Sequence, residues 1–251
     1  MLNPQMIPQR PAVTTATQEP IFRHELKYLI TSAQVGMLKS RLSGIAPLDT
    51  HAYGGSYRIR SLYFDDYDDR CYYENENGTD PREKYRIRIY NGSTERITLE
   101  CKRKERGKTL KTACPLTLDQ TERLMNGIPI GNVADQPPLL QKLTAKMLVN
   151  RMHPVVIVEY DRIPYVYRLG NVRITLDTNI SSSTDVQRFL DLMLPKRPIM
   201  PMGKQLLEVK YDEFLPDFLY RSLALENLSQ TSFSKYYLCR KYTRYGDYHE
   251  F

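Results

Sequence analysis

Six separate stretches of the chain put charged residues on every second position with apolar residues between them, and most of those charges are positive. They are Ile21–Tyr28 (IFRHELKY), Tyr57–Phe64 (YRIRSLYF), Lys84–Tyr90 (KYRIRIY), Ile97–Lys104 (ITLECKRK), Val172–Asp177 (VRITLD) and Leu206–Asp212 (LLEVKYD). Successive side chains of a β-strand point to opposite faces. The alternation therefore assigns Arg23, Glu25 and Lys27 to one face, and likewise Arg58 with Arg60, Arg86 with Arg88, Glu100 with Lys102 and Lys104, Arg173 with Asp177, and Glu208 with Lys210. The opposite faces carry Phe22, Leu26, Ile59, Ile87, Ile89, Ile97, Leu99, Leu207 and Val209.

A single half-buried strand sends its charges to bulk water. Six such strands with all charges outside would build a dense basic field that repels itself. Closing the strands with the charges inward demands a cavity that holds water, counter-ions or a polyanion, because isolated buried charges are prohibitively costly. The second arrangement predicts an α+β chain: an antiparallel β-barrel with a polar, basic interior and helices packed on its apolar exterior.

The 251 residues suffice for one large domain, and 41% apolar with 26% charged residues is a globular composition. The net charge of +7 calls for an anionic partner without naming it. Cys71, Cys101, Cys114 and Cys239 form no CxxC pair and have no His-rich neighbourhood, so reduced thiols in a cytoplasmic protein are expected. No apolar run approaches the ~18 residues of a membrane span. Residues 1–20 read as a flexible polar leader, with a single domain over 21–251.

Helical spacing is predicted over Thr31–Ile45, Thr117–Met125 and Pro137–Met152, with Thr31 or Ser32 and Thr117 as caps and Pro opening the third. A short helix over Thr184–Leu194 and another over Asp212–Asn227 are also expected, with PKRPIMPMG as a connection between them. Asn91-Gly92-Ser93 signals a hairpin. The acidic run Asp65–Glu76 does not match a calcium loop and is expected to be a solvated loop or short helix. HELKY lacks the second His of a zinc HExxH helix, and neither a P-loop nor GxGxxG occurs. Tyr residues interleaved with Arg suit strands as well as base stacking, and no nucleic-acid partner is expected.

Taken in order, RHELKYLI, SLYFDD, KYRIRIY, LECKRK, VEYDR, VRITLD, LLEVKYD and FSKYY resemble the VTC domain, the polyphosphate polymerase branch of the triphosphate tunnel metalloenzymes (the CYTH-like superfamily). The resemblance implies a tunnel that binds the triphosphate of ATP through Lys27, Arg86, Arg88, Lys102, Arg162 and Lys235. It implies Mn²⁺ or Mg²⁺ on Glu208, with Tyr160 and Arg173 also lining the wall. Glu100 and Glu25 share the charged face and are further metal candidates; Arg60, Lys104 and Lys210 share it as further ligand-binding candidates. Two positions depart from the pattern. Arg23 stands where the superfamily's ExExK has its first Glu, and Ser232 stands where the family's polymerases often carry a second Lys.

Such a site performs phosphoryl transfer by positioning and charge neutralisation. His24, His51, His153 and His249 and the serines are scattered without the logic of an activated nucleophile. A terminal phosphate loses its last proton near pH ~6 and attacks without a dedicated base, which favours an ATP-dependent polyphosphate polymerase. A metal-dependent triphosphatase of inorganic triphosphate or nucleotides and a non-catalytic polyphosphate-binding module stay open. Oligomeric state and a membrane-protein partner for the product are undetermined by the sequence.

Overall fold

The computed structural model describes residues 22–224 and 228–245. The predicted leader lies outside them. The chain builds one antiparallel sheet from β1 (His24–Thr31), β2 (Tyr57–Asp65), β3 (Arg82–Tyr90), β4 (Ser93–Glu105), β5 (Lys108–Leu116), β6 (His153–Tyr167), β7 (Val172–Ser183), β8 (Arg197–Pro198) and β9 (Lys204–Tyr211). Their order is β1-β9-β7-β6-β2-β3-β4-β5, with the two-residue β8 on β7. The sheet curls until its two edges touch. Arg23 N–H donates to the Thr109 carbonyl at 3.0 Å and Thr109 N–H returns the bond at 3.1 Å. Farther along β1, its open edge is taken by the chain entering the last helix: Tyr28 bridges Gln230, and Thr231 N–H donates to the Lys27 carbonyl at 2.9 Å. The result is the predicted tunnel-like barrel, with its seam closed partly by strand and partly by tail.

Helices cover the apolar outer face. α1 (Ser32–Ser43) and α5 (Asp217–Leu223) bring Leu38, Leu42, Leu219 and Leu223 onto a buried cluster containing Ile174, Leu176, Leu207 and Val209 from β7 and β9. α3 (Leu118–Met125) and α4 (Pro138–Asn150) supply Leu124, Leu140, Leu143 and Met147 to the other cluster, which holds Ile87, Ile97 and Leu99. Burying each such side chain stabilises the fold by roughly 1.5–3 kcal/mol. Both predicted Thr caps form reciprocal capping boxes, Thr31 with Gln34 and Thr117 with Gln120. Asn91 and Gly92 both have positive φ (52° and 72°), as a two-residue type I′ hairpin requires.

Three readings are corrected. Thr184–Leu194 is not a helix: only Val186–Arg188 makes a 3₁₀ turn. Arg60 Nη1 donates to the carbonyls of Phe189 (2.8 Å) and Asp191 (2.5 Å), which draws acceptors that a continued helix would use onto a guanidinium. The Asp212–Asn227 helix is limited to Asp217–Leu223, with Pro216 just ahead of it, because an interior Pro has no N–H to donate; residues 225–227 lie outside the described residues. The Pro-rich connection holds β8. Among the described residues, no helix is long and apolar enough to cross a membrane.

The acidic run does form a short helix, α2 (Arg70–Glu76), but its first residue is not solvated. Asp65 is fully buried and accepts from the backbone N–H groups of Asp66 (2.9 Å), Cys71 (2.8 Å) and Tyr72 (3.1 Å). The Tyr236 hydroxyl, on α6 (Lys235–Tyr245), donates to the same carboxylate. One side chain thus ties the end of β2 to both helices. Asp65→Ala would leave these donors buried and unpaired, and we expect a loss of about 3–5 kcal/mol of unfolding free energy in urea titrations; a loss below about 1 kcal/mol would show that the anchor is dispensable.

Candidate functional site

Register decides which side chains share the lumen. Across the sheet, Glu25 pairs with Lys210 and Lys27 with Glu208; Glu208 pairs with Thr175 and Lys210 with Arg173; Asp177 pairs with Arg162. On the other side Tyr57 pairs with Arg162, Tyr63 with Arg86, Ser61 with Arg88, Arg86 with Glu100 and Lys84 with Lys102. Directly opposed residues lie on the same face. Lys27, Arg86, Arg88, Lys102, Lys104, Tyr160, Arg162, Arg173, Lys210, Glu25, Glu100 and Glu208 therefore all fall on the inner face; the alternation predicts this for all but Tyr160 and Arg162, which only the resemblance named. Lys235 joins them from the first turn of α6.

Arg60 does not. It pairs with Glu159, on the face opposite Ser61 and Tyr63, and Ile59 takes the inner position instead. Alternation alone misreads β2 because both of its faces are buried: the outer one lies under the 186–197 segment, where Arg60 Nε meets Glu159 at 2.6 Å and Lys196 joins the same carboxylate. Buried charge here marks a pinned loop.

Three carboxylate-centred clusters build the inner wall. Arg86 Nε and Nη2 both donate to Glu100 Oε2 (2.8 and 2.7 Å), Nη1 donates to the Tyr63 hydroxyl at 2.8 Å, Arg88 lies 3.6 Å from Glu100, and Lys111 approaches its other oxygen at 3.0 Å. Arg162 grips Asp177 with two bonds of 2.7 Å and also reaches Glu208 at 3.2 Å. Lys235 Nζ sits 2.7 Å from Asp177 and 2.8 Å from Glu208, above the Tyr160 ring at 4.7 Å. In the third cluster, Lys210 Nζ stands between Glu208 (3.3 Å) and Glu25 (3.4 Å), and Lys102 holds Glu25 at 2.6 Å. Lys27 donates to the Phe233 carbonyl at 2.7 Å. Arg88 Nη2 donates to the Tyr160 hydroxyl at 3.4 Å and so links the first cluster to the second.

The contacts run around the lumen from β5 through β4, β3, β6, β7 and β9 to β1 and back to β4. Burial raises the Glu208 and Glu25 carboxyls, but the surrounding cations win and hold both well below the usual carboxylate range. Burial also acts against the Lys235 ammonium, yet Asp177 and Glu208 keep it above its ordinary value. Arg173 is engaged at the rim by Asp49 (2.8 Å) and the Tyr57 hydroxyl (2.7 Å).

Sequence reasoning passed over Lys84, Lys111 and Asp177 as site residues. Lys84 stands two positions before Arg86 in the same alternation, a usable signal. Lys111 lies in KTLKTAC, where no charge alternation exists. For a metal, no group of three or more His, Cys, Asp or Glu converges among the described residues. Glu25 and Glu208 nevertheless bracket one cation position, taken by the Lys210 ammonium. Mg²⁺ uses one or two carboxylates plus substrate phosphates rather than a full protein cage, so this donor set fits a substrate-borne ion.

A surface of this kind can hold and polarise linked phosphates: guanidinium forks and ammoniums outnumber the inner carboxylates Glu25, Glu100, Asp177 and Glu208. The model of the VTC domain family matches residues 22–243. No curated protein matches the chain. Among solved structures, a putative adenylyl cyclase from Hippeastrum, described as revealing a dominant triphosphatase activity, superimposes with a TM-score of 0.53 at 13% identity, covering 88% of this chain and 96% of that one. A putative adenylate cyclase from Bacillus halodurans gives 0.46 at 15% identity over 80% and 86% of the two chains. The Mimivirus capping enzyme triphosphatase gives 0.40 at 12% over 82% and 87%. At such identities, the Hippeastrum likeness is one of fold.

Two lysines make the lumen pH-sensitive. Burial, then the nearby Arg82 and Lys102 charges, push the Lys84 ammonium down to about 7 from 10.5. Burial pushes Lys102 down to about 8, against the pull of Glu25. A polyanion in the lumen favours the charged forms and raises both values, so binding takes up protons between these depressed values and 10.5. Affinity for inorganic triphosphate or polyphosphate is expected to be greatest below pH 7, where both lysines are already charged, and to fall as pH rises through 7 and 8. Calorimetry at pH 8 in buffers of different ionisation enthalpy measures the uptake; none, with a flat pH profile, would contradict it.

Proposed function

The chain belongs to the VTC domain family, and from that premise we propose that it is an ATP-dependent polyphosphate polymerase, transferring the γ-phosphate of ATP to a growing polyphosphate chain inside the basic lumen. The observation that carries this reading is the closed belt of cations on the inner face of the barrel, whose few carboxylates are all clasped. Arg86, Arg88, Arg162 and Lys235 grip the reacting phosphates. Lys27 and Lys102 neutralise charge as it shifts to the leaving group, and Tyr160, Arg173, Lys104 and Lys210 complete the wall. The forks of Arg86 and Arg162 are already oriented by Glu100 and Asp177, so little reorganisation accompanies transfer.

Direct transfer between phosphates fits the side chains present. Among the described residues His24 stacks on Tyr211, His51 bonds Asp49 at 2.8 Å and His153 is exposed, all outside the lumen contacts. The four cysteines are buried and free, and burial raises the thiols of Cys71, Cys101, Cys114 and Cys239, so none is an activated nucleophile. The terminal phosphate of the acceptor chain, ionised near pH ~6 and above, serves as nucleophile without a protein base. Glu208 with Glu25 would hold Mg²⁺ or Mn²⁺, which would supply further charge neutralisation to the bound phosphates. Glu100, committed to Arg86, Arg88 and Lys111, is an orienting group for the clamp. Buried free thiols suit a cytoplasmic setting.

The fold likeness to a Hippeastrum protein described with dominant triphosphatase activity favours hydrolysis as the second reading. Incubating pure protein with ATP and Mn²⁺ or Mg²⁺ separates the two: polyphosphate with ADP supports polymerisation, free phosphate alone supports hydrolysis, and no turnover leaves a binding module. In the same assay Arg86→Ala and Lys102→Ala should each lose about 2–4 kcal/mol of transition-state stabilisation, on the order of 30- to 1000-fold in turnover. Lys39→Ala, on the exposed side of α1, should lose almost nothing, since exposed charges are screened within about 8–10 Å. Equal small losses in all three would point to a diffuse basic surface. Separately, Glu208→Gln should abolish metal-dependent turnover and weaken Mn²⁺ binding seen by paramagnetic resonance in the presence of triphosphate; a folded variant with unchanged metal titration would remove Glu208 from the metal site.

A further inference from the structure

The outer side of β3 carries a second cavity. Glu83 and Tyr85 alternate with the inner residues Lys84 and Arg86 and so face away from the lumen, where residues of α2 and α4 frame a recess of about 220 Å³ beside them. Its floor is apolar: Tyr85 is fully buried, and Cys71 and Met152 nearly so. Its charged residues divide into two sets. Arg70 with Asp66, Glu83 with Lys142 and Arg103 with Glu105 are ion-paired. Glu74 on α2, Lys146 on α4 and Arg82 at the start of β3 line the same recess, and among the described residues none of these three forms an ion pair. Lys146 stands over the Tyr85 ring at 5.7 Å, and Arg82 donates to the Thr79 carbonyl at 2.7 Å. Every other buried or half-buried carboxylate among the described residues is held by an ion pair or a hydrogen bond; the half-buried Glu74 carboxylate is held by neither. Burial raises its carboxyl, and the Arg70 and Lys146 charges act on it from too far away to reverse that.

An unpaired carboxylate and two unpaired cations on different walls of one recess select for a ligand that carries both signs. A simple anion would meet Glu74, and a simple cation would meet Lys146 and Arg82; only a zwitterion satisfies all three, each charge-assisted contact being among the stronger hydrogen bonds. At about 220 Å³ the recess is smaller than the ~300–1,000 Å³ of sites for drug-sized ligands and suits a molecule the size of an amino acid. We propose that this recess binds a neutral α-amino acid, its ammonium on Glu74, its carboxylate on Lys146 and Arg82, and its side chain against Tyr85 and Met152. The site lies outside the barrel and does not rest on any reading of the lumen's chemistry. α2 nevertheless joins the two. Asn75, next to Glu74, accepts from the Lys84 ammonium, while Asp69 and Glu76 hold Arg240 and Tyr237 of α6. A ligand on Glu74 therefore steadies α2 and, through these contacts, the helix that begins with Lys235.

The test is direct binding to the full chain. Calorimetric titration with L-leucine and L-methionine should give a Kd of about 1 mM or tighter for at least one of them. The leucine analogues 3-methylbutylamine and 4-methylpentanoate, each with one of the two charges, should bind about tenfold more weakly or worse. The better amino acid should weaken by a similar factor with Glu74→Gln and with Lys146→Met. Neither side chain has an ion-pair partner to abandon, so both variants should stay folded, and their melting curves check this. Amide hydrogen exchange with the amino acid bound should slow in α2 and in the first turns of α6. No binding of either amino acid, equal binding of the singly charged analogues, or undiminished binding in both variants would overturn the site. The analogues decide this even if a variant fails to fold. Slowed exchange confined to the walls of the recess would overturn its link to α6.

Discussion

The rest of the molecule depends on a ring of ion pairs facing inward. A barrel that turns guanidiniums and ammoniums away from bulk water survives because each buried carboxylate is shared among several of them: Asp177 by Arg162 and Lys235, Glu208 by Lys235, Arg162 and Lys210, Glu100 by Arg86, Arg88 and Lys111. Breaking a buried pair from one side costs about 3–5 kcal/mol, since the abandoned charge stays behind. The ring is therefore rigid where it is shared. It also fixes register, because a one-residue slip in any strand would drive its charges into the apolar exterior.

Most of this was legible in the sequence. Period-two charge in β1, β3, β4, β7 and β9 gave both the inward face and the outer helices, since a strand whose two faces differ so sharply has only one workable orientation. β2 was misread for the opposite reason. Both of its faces are buried, so Arg60 and Ile59 carry no orienting information by themselves, and only the loop held by Arg60 Nη1 reveals which way it points. Asp65 was hidden in the same way, for an acidic run reads as solvated until its acceptors are seen to serve backbone N–H groups and Tyr236.

The tail was harder still. Lys235 was identified by likeness of motif, but nothing in SFSKYYLCRKYTRYG announces that its start completes a wall. Local pattern reports which face of an element is apolar; it does not report which far element supplies the missing side. Here β1 receives Gln230 and Thr231 along its open edge, and the Lys27 ammonium bonds the Phe233 carbonyl. Two neighbouring parts of the inner wall thus come from opposite ends of the described chain.

The pairing of β1 with β9 has a kinetic side. The first strand hydrogen-bonds along its whole length to the last, from His24 with Tyr211 to Thr31 with Lys204. Contacts so distant in sequence demand loop closure before they repay it, which slows folding. On a ribosome, Glu25 and Lys27 wait without Lys210 and Glu208 until nearly the entire sheet has been synthesised. Until then the inner cations of the early strands have only Glu25 and Glu100 to share, and the charge balance of the wall is completed last, by Asp177 on β7 and Glu208 on β9.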